Sequence, residues 1–149
     1  MYFRVAVGVI LLLLLLFAPA ASACFRNSFS TAETVLVQRV IDGDTIRLDG
    51  GVRVRLIGVD TPELNDKRPE WRARAQEAAA FVRQSVEGKH VRLEYDRERP
   101  DKHRRTLAYV YLEDGTFLNA EIVRQGYGLT CKRSFRYRGE FRNLEREAR

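Results

Sequence analysis

Apolar side chains recur along this chain at two different periods, and the changes between them mark its elements. Short apolar runs from Thr34 to Ile41 and from Thr45 to Leu48 flank Asp42-Gly43, a tight-turn signature, so the two runs read as a hairpin. Gly50-Gly51 closes a second turn before a run from Val52 to Val59. Pro69-Glu70 then opens a helix in which Trp71, Ala75, Ala78, Ala79, Val82 and Val86 fall at helical spacing, and Gly88 ends it. Alternating strands are predicted at 90–95 and 107–112, with Asp114-Gly115 as a turn. Leu118 to Gln125 reads as a second helix stopped by Gly126, and a third begins near Tyr137. Strands followed by separate helices, without internal repeats, give the α+β class.

Chemistry gathers at the ends of the first strands. Asp42, Asp44, Asp60 and Glu63 lie on either side of Arg55, and the two turns allow Asp44, Arg55, Asp60 and Glu63 to meet on one sheet. Each piece has a plainer reading. Asp-Gly is usually only a turn, Pro62 in Thr61-Pro62-Glu63 ends a strand by forcing its predecessor extended, and Arg53 and Arg55 would share a solvent face. The combination is more specific than its parts. A phosphodiester resists attack by another anion, so a catalyst must neutralise it, hold it and activate a water. Carboxylates make a hard oxygen site suited to Ca²⁺, and arginine forks hold phosphate in two parallel bonds.

A second block, Asp101-Lys102-His103-Arg104-Arg105-Thr106-Leu107-Ala108-Tyr109-Val110-Tyr111, precedes Leu118-Asn119-Ala120-Glu121-Ile122-Val123-Arg124-Gln125-Gly126. With Val40-Ile41-Asp42-Gly43-Asp44-Thr45 and Arg55-Leu56-Ile57-Gly58-Val59-Asp60-Thr61-Pro62-Glu63, these segments resemble the staphylococcal nuclease (thermonuclease) family, in order from about Val35 to Gly126. The resemblance implies a five-stranded OB-like barrel with about three packed helices. It also implies a calcium-dependent endonuclease acting on DNA and RNA and leaving 3′-phosphate ends.

Matched by position, Asp44 and Asp60 would give carboxylate oxygens to Ca²⁺ and Thr61 its backbone carbonyl. Asp42 would stand just behind them. Glu63 matches the presumed general base, and Arg55 and Arg105 match the phosphate-binding arginines. The family commonly has glycine before the second arginine, whereas this chain has Arg104, which adopts a left-handed turn only at a cost. A reshaped loop that brings Arg104 to the phosphate in place of Arg105 is therefore an open alternative. Lys102, His103 and Tyr137 are further candidates for substrate contact. Neither His90 nor His103 has a partner at metal-binding spacing, and the two cysteines are far apart in sequence, which argues against a zinc mechanism.

The N-terminus bears on compartment. Arg4 precedes an apolar run from Val5 to Phe17 containing six consecutive leucines, and Ala21-Ser22-Ala23 is a small-residue cleavage signal. Residues 1–23 are thus expected to be a signal peptide and 24–149 one secreted or periplasmic domain. Cleavage there would free Cys24 to pair with Cys131, while the same Ala-Ser-Ala-Cys resembles a loose lipobox that would make Cys24 a lipid anchor. Both readings stand.

Charge adds a direction. The chain carries +6, and from Arg124 onward eight basic residues face only Glu140, Glu145 and Glu147, with Phe135, Tyr137 and Phe141 interleaved. Basic residues with stacking aromatics are how single strands are gripped without sequence preference, so a monomer with a preference for single-stranded DNA or RNA is expected. The competing reading packs Phe141 and Leu144 into the core and leaves the arginines wet. Two other functions are weighed against the enzyme: a catalytically weak nucleic-acid-binding module of the same fold, and an envelope lipoprotein using its basic face on anionic polymers.

Overall fold

The computed structural model describes residues 34–96, 101 and 103–149. Five strands close a barrel in the order β1 (Thr34–Asp42), β2 (Thr45–Leu48), β3 (Arg53–Leu56), β6 (Thr106–Tyr111), β5 (His90–Glu94). Neighbouring strands run antiparallel except β3 and β6, which are parallel. A two-stranded ribbon of β4 (Val59–Asp60) and β7 (Leu129–Thr130) stands beside the barrel. Helices α1 (Pro69–Val86), α2 (Leu118–Arg124) and α3 (Arg138–Glu147) cover it.

The expected α+β barrel with three helices is therefore the observed fold, with two corrections to the strands. The predicted run from Val52 to Val59 is two strands, because Gly58 breaks it with a φ of 84°. A Cβ at Gly58 would lie 2.6 Å from the Phe135 ring and 2.9 Å from Phe141, so the break lets these aromatics sit directly on the backbone. The β4–β7 ribbon was not predicted. Two residues are too few to show a period, and their pairing depends on contacts between distant parts of the chain.

Helix α1 follows its pattern closely. Ala75, Ala78, Ala79, Val82 and Val86 are buried, as their spacing requires, and small alanines let the helix lie close to β1. Trp71 is only half-buried and carries Arg68 and Arg74 over its ring. Phe141 and Leu144 are buried with the barrel valines, so they belong to the core as the plainer reading held. Asn119 of α2 is fully buried and fully used: it accepts from the Val110 amide at 2.9 Å and donates to the Ile57 and Ala108 carbonyls. That side chain ties α2 to the ends of β3 and β6, the edge from which the site is built.

Gly58→Ala is expected to destabilise the fold by about 2 kcal/mol or more, through the positive φ and the ring clash together. Urea unfolding checks this, and an unchanged midpoint would contradict it.

Candidate active site

Turn geometry brings the first acids together. Asp42 pairs with Thr45 across the hairpin, and its Oδ1 accepts the Asp44 amide at 3.0 Å, which holds the turn shut. Gly43 at the tip lies against Thr61 and Ala78. A Cβ there would come within 2.8 Å of the Ala78 Cβ and 2.9 Å of the Thr61 side chain, so only glycine lets the turn approach so closely. That approach carries Asp44 inward, where it is 7 % exposed.

Asp44 is satisfied on every side. Its Oδ2 accepts the Thr61 amide and the Thr61 hydroxyl, both at 3.2 Å, its Oδ1 accepts the Thr45 hydroxyl at 3.0 Å, and Arg55 Nη1 is 2.7 Å from Oδ2. Arg55 Nη2 reaches Asp60 Oδ1 at 3.5 Å, so one guanidinium touches both carboxylates. Asp60 is 69 % exposed at its side chain, at the end of β4. The buried and the open acid thus face the same cation.

Arg105 enters from the neighbouring strand. Register places Thr45 opposite Arg55 and Arg55 beside Leu107, so Arg105 stands just outside β6. Its Nη1 is 3.4 Å from the Thr45 hydroxyl, which itself bonds Asp44. Asp101 fixes it: one carboxylate oxygen accepts Nε, with Nη2 also 2.8 Å away, and the other accepts the backbone amides of His103 and Arg105. Although burial pushes the Asp101 carboxyl up, the bonds from Arg105 and His103 outweigh it and hold the group below the usual carboxylate range. Asp101 was assigned no role in the sequence reading, although an aspartate two residues before a turn amide is a recognisable turn signature.

Arg104 occupies the turn position where the family commonly has glycine. It takes the left-handed backbone itself, at φ 58°, with its amide bonded to the Asp101 carbonyl at 3.0 Å. The turn that glycine would serve is kept at a modest backbone cost, and the Arg104 side chain is exposed.

A cleft of about 740 Å³ lies over this surface, lined by Arg55, Asp60, Asp101, His103 and Arg105 on one side and Arg133 to Arg136 on the other. Asp44 and Thr61 lie beneath its floor. Glu63 sits three residues beyond Asp60 on the exposed loop, outside the cleft lining, and its carboxylate has no partner among the described residues. Tyr137 lies elsewhere: its ring packs edge-on against Tyr109 and Phe117, and its hydroxyl donates to Glu94, so it is part of the aromatic core and not a cleft wall. Lys102, Cys24 and residues 1–23 fall outside the described residues. Cys131 has no disulfide partner among those described.

The side-chain oxygens of Asp44 and Asp60 are the donors a hard cation would use, although among the described residues no group of three or more His, Cys, Asp or Glu side chains converges. Few protein ligands leave most of a calcium shell of about six to eight oxygens to water and substrate.

Burial raises the Asp44 pKa to about 7 against the pull of Arg55, with Asp42 adding to the rise. The folded chain therefore holds a proton that the unfolded chain releases above its ordinary 3.8. Without divalent cation, stability should fall as pH rises from about 4 to about 7. Asp44→Asn should flatten that slope and abolish any calcium-induced rise in Tm. An unchanged slope in chelator would show that Asp44 is not the group responsible.

Comparison with known proteins agrees with this architecture. A family model described as "Staphylococcal nuclease homologue" matches residues 53–149. The chain is 47 % identical over 97 residues to the thermonuclease of Staphylococcus intermedius, covering 63 % of this chain and 57 % of that one. It is 37 % identical over 131 residues to the thermonuclease of Staphylococcus hyicus, covering 86 % and 73 %. Against the SPbeta prophage-derived endonuclease YokF of Bacillus subtilis it is 30 % identical over 122 residues, covering 77 % and 41 %. It thus spans little more than half the length of the first of these relatives. With two thirds of its residues inside the family model and a closed five-stranded barrel beneath them, the chain belongs to the staphylococcal nuclease family.

Proposed function

We propose that the protein is a calcium-dependent endonuclease that cleaves DNA and RNA with little sequence preference, favours single strands and leaves 3′-phosphate ends. The observation that carries this reading is that Arg55, in contact with the buried Asp44 and the exposed Asp60, and Arg105, held by Asp101, line the same side of one open cleft. The related thermonucleases and the prophage endonuclease support it by their names.

In this reading Arg55 and Arg105 bind the scissile phosphate. Arg105 Nη1 lies 3.4 Å from the Thr45 hydroxyl and Arg55 Nη1 2.7 Å from Asp44 Oδ2, and neither loses its charge near neutral pH. Asp101 restrains Arg105 before substrate arrives, so little rotamer freedom is lost on binding. Asp44, Asp60 and the Thr61 carbonyl would hold Ca²⁺, which when bound supplies Lewis acidity to a phosphate oxygen and orients water. Arg55, whose guanidinium contacts both carboxylates, stands where it would also reach a phosphate bound beside them. Glu63, with no side-chain partner among the described residues, takes the proton from the attacking water as the water oxygen bonds phosphorus and the P–O5′ bond breaks, the departing 5′ oxygen taking a proton from solvent. Contacts are made to phosphate and not to base edges, which accounts for weak sequence preference.

The apolar run and small-residue signal at the N-terminus support export to the envelope or beyond, with cleavage ahead of Cys24 or lipidation at it. Among the described residues no helix is long and apolar enough to cross a membrane.

Digestion of a mixed-sequence single-stranded DNA and an RNA in calcium, in magnesium and in chelator tests the proposal. Even ladders in calcium, blocked to 3′ extension until treated with phosphatase, are expected. Cleavage that persists in chelator would remove the metal from the reaction.

A further inference from the structure

The outer face of α3 segregates its charges. At about 100° per residue, Arg142 and Arg146 fall within an arc of about 40° of α3, while Glu140 and Glu147 lie well round the helix and Phe141 and Leu144 face the core. Arg149 is paired with Glu145 at 2.6 Å, and that carboxylate also accepts the Thr130 amide. Arg142, Arg146 and Lys132 have no acidic partner among the described residues.

This face is not isolated. A groove of about 650 Å³ runs beside it, lined by Lys132, Arg142, Arg146 and Arg149 together with Asn143 and Glu145, the latter paired with Arg149. Cys131 borders both this groove and the catalytic cleft, and the next two residues divide between them, Lys132 to the groove and Arg133 to the cleft. Positive charge therefore continues from Arg55 and Arg105, over the loop after β7, to the far end of α3.

We propose that Lys132, Arg142 and Arg146 form a second nucleic-acid track, an exosite that holds the phosphates of a polynucleotide already threaded through the cleft. It rests on the nuclease reading for its substrate class. Its ligand is the backbone, because the groove offers cations and no exposed aromatic ring to stack a base. Successive arginines one turn apart, about 5.4 Å, follow a flexible single strand. Short substrates occupy only the cleft, whereas long ones engage both surfaces, so the track raises affinity for long chains without touching the reacting phosphate.

The test compares the wild type with Lys132→Ser/Arg142→Ser/Arg146→Ser, all exposed positions outside the catalytic machinery. Fluorescence anisotropy in chelator, where no cleavage intervenes, measures binding of a long oligothymidylate and a tetranucleotide across a salt series. The triple variant should bind the long strand at least about tenfold more weakly, with the slope of log K against log salt smaller by about 2, since each lost single-strand phosphate contact removes about 0.7. Tetranucleotide binding and its cleavage rate in calcium should not change. Lys132→Arg should behave as wild type. An unchanged salt slope, equal losses for both lengths, or a loss of binding confined to anionic lipid vesicles would overturn the track. A wild type that shows the length-dependent slope but cleaves nothing would keep the track and sink the nuclease; one that cleaves both lengths with equal kcat/KM would do the reverse.

Discussion

Replacing Glu63 with Gln should lower kcat for polynucleotide cleavage by about 10²- to 10⁴-fold while leaving KM and folding nearly unchanged. The amide keeps the size of the side chain but cannot accept a proton from water. Glu63 is exposed and its carboxylate makes no hydrogen bond among the described residues, so nothing in the fold depends on it. The same freedom would suit it to the proposed role of base: a carboxylate on a loop, three residues beyond Asp60 and unpartnered among the described residues, could approach a water near the acid pair. Steady-state rates on single-stranded DNA in calcium measure the effect, and near-normal kcat would assign the proton to another group.

Arg105→Lys should cost about 10²- to 10³-fold in kcat, the loss typical of one preorganised donor to developing charge. Lysine keeps a charge opposite Asp101 but loses the planar fork whose Nε and Nη2 are held there. Arg105 is then poorly replaced, for geometric and not electrostatic reasons. Arg104→Lys is the control. Its side chain is exposed and its contribution is the backbone turn, so it should be nearly silent in kcat. A large loss at Arg104 with none at Arg105 would reverse the two roles.

The barrel was legible because local signals and long-range packing agree in most of it. Asp42-Gly43 fixes the first hairpin, and the alanine and valine spacing from 75 to 86 fixes the buried face of α1. Strand ends at β5 and β6 differ from expectation by one residue, which side-chain period alone does not resolve. Ile57-Gly58 escaped because an apolar run looks continuous when its interruption is a backbone turn that makes room for Phe135 and Phe141, residues about eighty positions away.

The site was legible as residue types and not as a charge balance. The sequence offers Asp44 and Asp60 as equals, yet the structure buries one and exposes the other, and burial is the largest cause of the raised Asp44 pKa, with Asp42 adding to it. Asp101 was overlooked because its partner Arg105 is recognised by resemblance, while the clamp depends on an aspartate side chain folding back on its own loop. The cost of a left-handed turn at Arg104 was legible in the sequence, whereas the bonds from the His103 and Arg105 amides to Asp101 that close this turn were not.

The most direct measurement is single-turnover digestion of an end-labelled single-stranded oligonucleotide, with enzyme in excess, for the wild type and Glu63→Gln in calcium and in chelator. The nuclease account predicts cleavage by the wild type in calcium alone and its collapse in Glu63→Gln with binding retained. Salt-sensitive binding by both proteins with no cleavage in any divalent cation would contradict it and leave a nucleic-acid-binding module on the same barrel.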